Sequence, residues 1–137
     1  MNPEAPSRLE LMKKAQAHAA QCFENKWVGG DLQVLSQMLE LIKQDAGEHE
    51  MIIAQTIAWS CRTEGVLALR VELLEIASRS PHASVRRNAA IQAGQLHRLA
   101  GRMSDEEAGR VRGCLEILAQ DEDESVRKNL QLSGGVL

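Results

Sequence analysis

Three segments of this chain repeat one short pattern, and this internal repeat constrains the fold more than any other feature. The segments begin at Leu39, Leu74 and Leu115, which places them 35 and then 41 residues apart. The last two copies align without a gap, since residues 74–96 and 115–137 share nine identities in 23 positions. A period of this length is typical of arrays in which each unit buries its apolar face against the next. The repeat therefore predicts an array of similar units.

Helix signals recur along the chain, whereas strand signals are missing. Ser7-Arg-Leu-Glu10 and Ser104-Asp-Glu-Glu107 have the form of capping boxes, which satisfy free N–H groups at a helix start. Aromatic residues make up only 2% of the chain, which disfavours a sheet built from aromatic and β-branched side chains. The sequence therefore predicts an all-α fold with about seven helices. They span about 7–25, 31–45, 48–62, 66–79, 83–100, 104–120 and 123–133.

The last two units share a further pattern: an apolar helix, a short turn with Asp or Pro, and a second helix that opens on Val-Arg. Val85-Arg86 and Val126-Arg127 occupy this position, whereas the first unit has Glu50-Met51 there. This arrangement resembles the HEAT repeat, a relative of the armadillo repeat, over residues 31–137. Tetratricopeptide repeats have a similar period, but their Trp-Leu-Gly-Tyr pattern is missing. The resemblance implies a HEAT-like α-solenoid of about three helix pairs plus an N-terminal helix.

At 137 residues, the chain is long enough to bury a core of its own. We expect a single helical-repeat domain over residues 1–137. Its parts are a flexible N-terminus (1–6), an N-terminal helix and turn (7–30), and three repeat-like helix pairs (31–64, 66–101 and 104–137).

The resemblance also indicates a candidate binding surface, because second helices of HEAT-like pairs line a concave inner face. On a helical wheel, the fifth helix places Val85, Ala89 and Ala93 on one side, and Arg87 and Ile91 roughly opposite. Trp and Arg are frequent among the residues that dominate binding energy at protein interfaces. The candidate binding residues are Ile52, Thr56, Trp59, Arg87, Ile91, Arg98, Arg102 and Lys128.

Two interpretations remain open for parts of this set. Trp59 either belongs to a binding surface or packs against a neighbouring repeat. Arg87, Arg98 and Arg102 either contact a partner or form a solvated helix face. The sequence does not choose between these alternatives.

Arg86 and Arg127, the first arginines after the repeated valine, are expected to have a structural role. In HEAT-like stacks such an arginine often pairs with an acidic residue in the turn of an adjacent unit. Asp45 and Asp121 lie in the corresponding turns. The resemblance therefore implies ion pairs between turns.

Charge is distributed unevenly along a chain whose net charge is −3. Residues 79–102 contain five arginines, two histidines and no acidic residue, whereas residues 104–124 contain eight acidic residues. The basic segment favours a partner protein with an acidic surface. Nucleic acid is the alternative partner, although the acidic neighbour partly cancels the patch and no aromatic side chains are interleaved for base stacking.

No pattern in the sequence indicates catalysis, a metal or a cofactor. His18 and Cys22 lie four residues apart on the first helix, but a metal site needs three or four ligands and no second such pair exists. The Gly-Gly pairs lack the lysine of a phosphate loop, and no nucleophile elbow is present. We therefore expect a protein that is not an enzyme. A small enzyme or lyase subunit with a HEAT-like fold is the remaining alternative.

Three scattered cysteines without a CxxC pair predict a reducing compartment. The sequence has no recognisable signal peptide and no apolar run of membrane-spanning length. These features predict a cytoplasmic protein with no membrane partner. The expected function is that of a protein–protein interaction module, namely an adaptor, an assembly factor or an inhibitor of a larger complex.

The C-terminal edge is a candidate for self-association. A helical array exposes its core at each end unless polar residues cover it. Leu130, Leu132, Val136 and Leu137 have no following helix to cover them. A homodimer through this edge is therefore a further expectation.

Overall fold

A computed structural model of the chain describes residues 7–23, 31–44, 47–60 and 65–134. Within these ranges the protein is all-helical and contains no strand, which confirms the predicted all-α class. The described residues form seven α-helices and one 3₁₀ turn, Ala100–Arg102. The helices are α1 (Arg8–Phe23), α2 (Asp31–Gln44), α3 (Glu48–Ser60), α4 (Val66–Ser78), α5 (Ala83–Arg98), α6 (Asp105–Ala119) and α7 (Glu124–Leu132).

Side-chain caps explain where several helices begin. The Ser7 hydroxyl accepts a hydrogen bond from the Glu10 N–H at 3.1 Å, at the start of α1. At the start of α6, the Glu107 N–H donates to the Ser104 hydroxyl, and the Ser104 N–H donates to the Glu107 carboxylate. This reciprocal arrangement confirms the capping box predicted at Ser104. The carboxylate of Asp123 accepts from the Ser125 N–H at 2.8 Å and caps α7.

The fifth helix ends earlier than the sequence predicts. It stops at Arg98, and the chain then tightens into the 3₁₀ turn, in which the Arg102 N–H donates to the Leu99 carbonyl at 2.8 Å. Gly101 lies in this turn, and glycine weakens an α-helix because it loses more backbone entropy than other residues. The predicted helix therefore splits into α5 and a short turn.

The chain forms two compact units, Met1–Leu69 and Arg70–Leu137, and the boundary between them falls within α4. In the first unit, α1, α2 and α3 each pack against the other two. Its buried apolar side chains include Leu11, Ala15, Leu35, Met38, Leu39, Ile42, Met51 and Ile57. An ion pair between Arg8 and Glu50, with 3.1 Å between nitrogen and oxygen, links α1 to α3 at the surface.

In the second unit, α5 packs against both α6 and α7, and α6 also packs against α7. Arg110 of α6 donates to the Glu75 carboxylate of α4 at 3.0 Å. The buried apolar residues of this unit include Leu73, Leu74, Val85, Ala89, Ala93, Leu96, Val111, Leu115, Leu118, Val126 and Leu130. The leucine that opens each copy of the repeat, at 39, 74 and 115, is therefore buried in the unit to which it belongs.

Helices α5 and α7 lie side by side and run in the same direction. The Asn129 amide donates to the Arg87 carbonyl, and the Ser133 hydroxyl donates to the Ala90 carbonyl. Both bonds join residues 42 or 43 positions apart. A constant separation along two helices requires that they be parallel, since in antiparallel helices the separation changes steadily. This pairing positions the site described below.

The two parallel helices approach closely at Gly94. A Cβ atom at this position would lie 2.7 Å from the Ser133 Cβ and 2.8 Å from the Ser133 carbonyl oxygen. Real Cβ atoms do not approach neighbours so closely. Glycine at position 94 therefore permits the helix contact that places Ser133 against α5.

Candidate functional site

An open cleft lies between the C-terminal halves of α5 and α7. Its volume is about 290 Å³. Three residues of α5 and three from the end of α7 line it: Ile91, Gln95, Arg98, Asn129, Leu132 and Ser133. We call this feature the α5–α7 cleft. Because both helices belong to the second unit, its geometry depends on that unit alone.

Two aliphatic side chains border the cleft and remain open to solvent. Ile91 is 39% exposed and Leu132 is 84% exposed. Leu132 follows the buried Leu130 by two residues, which places the two leucines on nearly opposite sides of α7. Single exposed apolar residues are common, but two that border one cleft form an apolar patch at a concave surface.

Arg98 lies at the end of the cleft and is held there. Its guanidinium Nη2 donates a hydrogen bond to the Ser133 carbonyl, at the C-terminus of α7. The next residue, Gly134, has a φ of +87°, and a Cβ at that position would lie 3.0 Å from Arg98 Nη2. The left-handed glycine therefore turns the chain away and leaves room for the arginine. Arg98 as a whole residue is exposed, so part of its side chain is accessible to solvent.

The wall of the cleft contains an unsatisfied acceptor. The Gln95 side-chain oxygen Oε1 is buried, and it has no hydrogen-bond partner among the described residues. Its neighbours are already engaged, since the Asn129 amide donates to Arg87 O at 3.3 Å and the Ser133 hydroxyl donates to Ala90 O at 3.1 Å. A buried acceptor without a donor costs about 1–3 kcal/mol. Because this oxygen is closed to solvent, a ligand N–H would reach it, and recover part of this cost, after rotation of the Gln95 side chain.

The two basic residues nearer the N-termini of α5 and α7 have acidic neighbours. Arg87 Nη1 lies 3.7 Å from Asp123 Oδ2, and Lys128 Nζ lies 3.8 Å from Glu124 Oε1. Hydrogen bonds from Ser125 hold the pKa of the Asp123 carboxyl below its ordinary value, with a smaller contribution from the charge of Arg87. The acidic first turn of α7 therefore offsets charge at this end, while Arg98 and the exposed Arg102 lie toward the other end.

Arg86 makes a different contact, which joins two turns of the second unit. Its Nε donates to Asp121 Oδ2 at 2.8 Å, and its Nη1 donates to the Ser80 carbonyl at 2.9 Å. The side chains are mostly buried, at 14% exposure for Arg86 and 7% for Asp121. Arg127 Nη1 donates to the Asp121 carbonyl. Asp45, the other acidic residue considered from the sequence, lies outside the described residues.

The remaining candidates, Ile52, Thr56 and Trp59, belong to α3 in the first unit, and all three are half-buried. The Thr56 hydroxyl donates to the Ile52 carbonyl at 2.9 Å, so this group bonds within its own helix. Of the eight candidates, the structure brings Ile91 and Arg98 into one cleft and places Arg87 and Lys128 farther along the same two helices.

Sequence reasoning missed Gln95, Asn129 and Ser133, which also line the cleft. The spacing of four and three residues from Ile91 to Gln95 to Arg98 was available as a signal, because such residues share one face of a helix. Asn129 and Ser133 needed the parallel pairing of α5 and α7, which the helical wheel of a single helix does not contain.

Three further observations concern metal-ligating residues, a cysteine and the apolar length of the helices in the described part of the chain. It contains no group of three His, Cys, Asp or Glu side chains placed to hold a metal ion. Burial raises the pKa of the Cys114 thiol, which disfavours the reactive thiolate. Among the described helices, none has both the length and the apolar composition required to cross a membrane.

Comparisons of the chain with protein-family models, with curated proteins and with solved structures found no significant match. The proposals that follow therefore depend on the residues and contacts of this chain.

Proposed function

We propose that the protein is a non-catalytic interaction module that binds a partner protein at the α5–α7 cleft. In this proposal it acts in the cytoplasm as an adaptor, an assembly factor or an inhibitor of a larger complex. The observation that carries the proposal is the pair of exposed aliphatic side chains, Ile91 and Leu132, beside the anchored Arg98. Apolar anchors with a nearby arginine are the usual elements of a protein-binding hot spot.

We also propose that the second unit is a HEAT-like stack of two helix pairs. Repeated contacts support this proposal: Arg86 donates to the carbonyl six residues before it, and so does Arg127, 41 residues later. The parallel packing of α5 and α7 is what stacked second helices require. In such a stack, the exposed side of α5 and α7 is the surface available to a partner.

The contacts of the basic residues weigh against the nucleic-acid alternative. In the nucleic-acid alternative, the residues that would contact phosphates are Arg87, Arg98, Arg102 and Lys128. Arg87 and Lys128 each lie within 4 Å of a carboxylate oxygen. A phosphate would have to compete with these carboxylates, or suffer repulsion from them. Arg98 is the charged side chain that lines the cleft, and a single guanidinium suits a carboxylate on a protein.

Site-specific photocrosslinking in the cells that produce the protein tests the proposal. Leu132 is replaced by p-benzoylphenylalanine, and Glu116, an exposed residue of α6, is replaced in the matched control. We expect a discrete protein adduct from position 132, reduced severalfold by Arg98→Glu, and no such adduct from position 116. Equal adducts from both positions, or none from position 132, would overturn the proposal. An adduct that nuclease treatment removes would favour nucleic acid instead.

The contribution of the first unit is tested in the same experiment. Trp59 belongs to α3 of the first unit and does not line the α5–α7 cleft, so Trp59→Ala leaves the lining residues in place. Our proposal predicts that the adduct from position 132 persists in this variant. Loss of the adduct in Trp59→Ala, with the helical content retained, would show that the cleft alone does not hold the partner.

A further inference from the structure

We infer that the α5–α7 cleft selects a peptide segment in which a branched aliphatic side chain lies next to a carboxylate. This inference rests on the proposed function and specifies the chemistry of the partner. Four features of the cleft support it: the anchored arginine, the apolar border, the unsatisfied acceptor and the local distribution of charge.

The anchored guanidinium of Arg98 is the feature that favours a carboxylate in the ligand. The bond from Arg98 Nη2 to the Ser133 carbonyl fixes the side chain, and the residue remains exposed to solvent. Guanidinium groups bind carboxylates through parallel N–H···O bonds, and a guanidinium that is already oriented loses less entropy on binding. A carbonyl partner is neutral, so it leaves the positive charge of Arg98 available to a ligand.

The apolar border accounts for the aliphatic side chain. Ile91 and Leu132 face the cleft from its two helices, and both remain accessible. The cleft volume of about 290 Å³ lies at the lower limit for small-molecule pockets. That volume suits one or two side chains of a peptide better than a whole cofactor.

The unsatisfied side-chain oxygen of Gln95 is the feature that favours a ligand with a peptide backbone. Gln95 lies between Ile91 and Arg98 on the same face of α5, and its buried Oε1 has no donor among the described residues. A backbone N–H located between the aliphatic side chain and the carboxylate would supply that donor. Rotation of the Gln95 amide would bring the oxygen toward such a ligand.

The distribution of charge favours an acidic ligand at this end of the cleft. The acidic residues in the first turn of α7, Asp123 and Glu124, lie near Arg87 and Lys128. Helix α7 has nine residues, so its first turn is about 13 Å from its end. Arg102 lies in the 3₁₀ turn after α5 and outside the cleft lining, so Arg98 is the charged side chain that lines the cleft.

The test is a titration of the full ¹⁵N-labelled chain with each of two peptides, in which binding is measured from the amide chemical shifts. The probes are acetyl-Gly-Leu-Glu-Glu-Leu-Gly-amide and its isostere with both glutamates replaced by glutamine. We expect the acidic peptide to shift the amides of Ile91, Gln95 and Leu132, and to bind roughly tenfold more tightly than the isostere. Arg98→Gln should remove this preference, and Arg98→Lys should retain part of it.

Arg112→Gln is the matched control, because Arg112 is an exposed arginine of α6 away from the cleft lining. This variant should keep the preference for the acidic peptide. Equal binding of both peptides at the cleft would overturn the inference while leaving the proposed function intact. Cleft amides that respond to neither peptide, although position 132 still crosslinks to a partner, would also overturn it. Failure of both experiments would instead overturn the proposed function.

Discussion

The turns that lead into α5 and α7 lie at the same place in two copies of the repeat, but their residues differ, and the two helix starts are stabilised differently. In both copies the valine is buried and the following arginine donates to the carbonyl six residues before it. The N-cap residues differ: His82 makes no side-chain capping bond, whereas Asp123 accepts from the Ser125 N–H. Of the two aligned arginines, Arg86 pairs with the Asp121 carboxylate, whereas Arg127 donates to the Asp121 carbonyl.

This difference separates the contacts that define one helix pair from the contact that joins two helix pairs within the second unit. The buried valine and the arginine-to-carbonyl bond occur in both copies, so they belong to each helix pair. Asp121 occupies the position that Ser80 holds in the other copy, and its carboxylate binds the arginine of the neighbouring pair. One serine-to-aspartate difference between the copies thus supplies a link between successive turns.

The largest expected effect comes from removing Arg86. Arg86→Met leaves the mostly buried Asp121 carboxylate without its partner, and breaking a buried pair in this way costs about 3–5 kcal/mol. Arg127→Met removes a bond to a carbonyl only, for which we expect about 1.5 kcal/mol. The free energy of unfolding, measured by urea titration, compares the two variants.

The double variant Arg86→Met/Asp121→Asn is the control for this comparison. It removes the unpaired negative charge of Asp121 and should recover part of the stability lost in Arg86→Met. Equal losses in Arg86→Met and Arg127→Met would mean that the ion pair contributes nothing beyond the bond shared by both copies. That outcome would break the distinction between the two copies.

An intermediate effect on stability is expected at Gly94, where α5 packs closely against the end of α7. Gly94→Ala places a Cβ against Ser133, so the helices must separate, at a cost of about 1–3 kcal/mol. Gly113→Ala in α6 is the matched control, because a Cβ there meets nothing within 4 Å. This control should stabilise the protein by about 0.5–1 kcal/mol, since alanine favours a helix over glycine. Destabilisation by Gly113→Ala, or none by Gly94→Ala, would contradict the close contact.

The helices and several of their caps could be predicted from the sequence because these features are local. The capping box at Ser104 needs only residues three positions apart, and helix boundaries follow from similar short spacings. The sequence also marked the buried side of α5 correctly at Val85, Ala89 and Ala93, since helical periodicity determines which residues share a face.

The candidate site could be predicted only in part, because a cleft depends on how helices pair. The sequence does not show which of Leu130 and Leu132 is buried until the orientation of α7 is known. It likewise does not show that Arg87 approaches Asp123, 36 residues later. The unsatisfied acceptor of Gln95 depends on every donor nearby, so no pattern in one helix predicts it.

The smallest expected effect distinguishes the two N-caps by their response to acid. Hydrogen bonds from Ser125 lower the pKa of Asp123 in the folded protein, so the ionised cap stabilises the fold above the unfolded pKa of about 3.9. This contribution is lost as the pH falls below that value and through the lower folded pKa. The protection of the Ser125 amide, which is its exchange rate relative to the intrinsic rate at the same pH, should therefore decrease on acidification, whereas Asp123→Asn, which keeps an acceptor without a titrating group, should not show this decrease. An equal acid response in wild type and Asp123→Asn would mean that other carboxylates govern the start of α7.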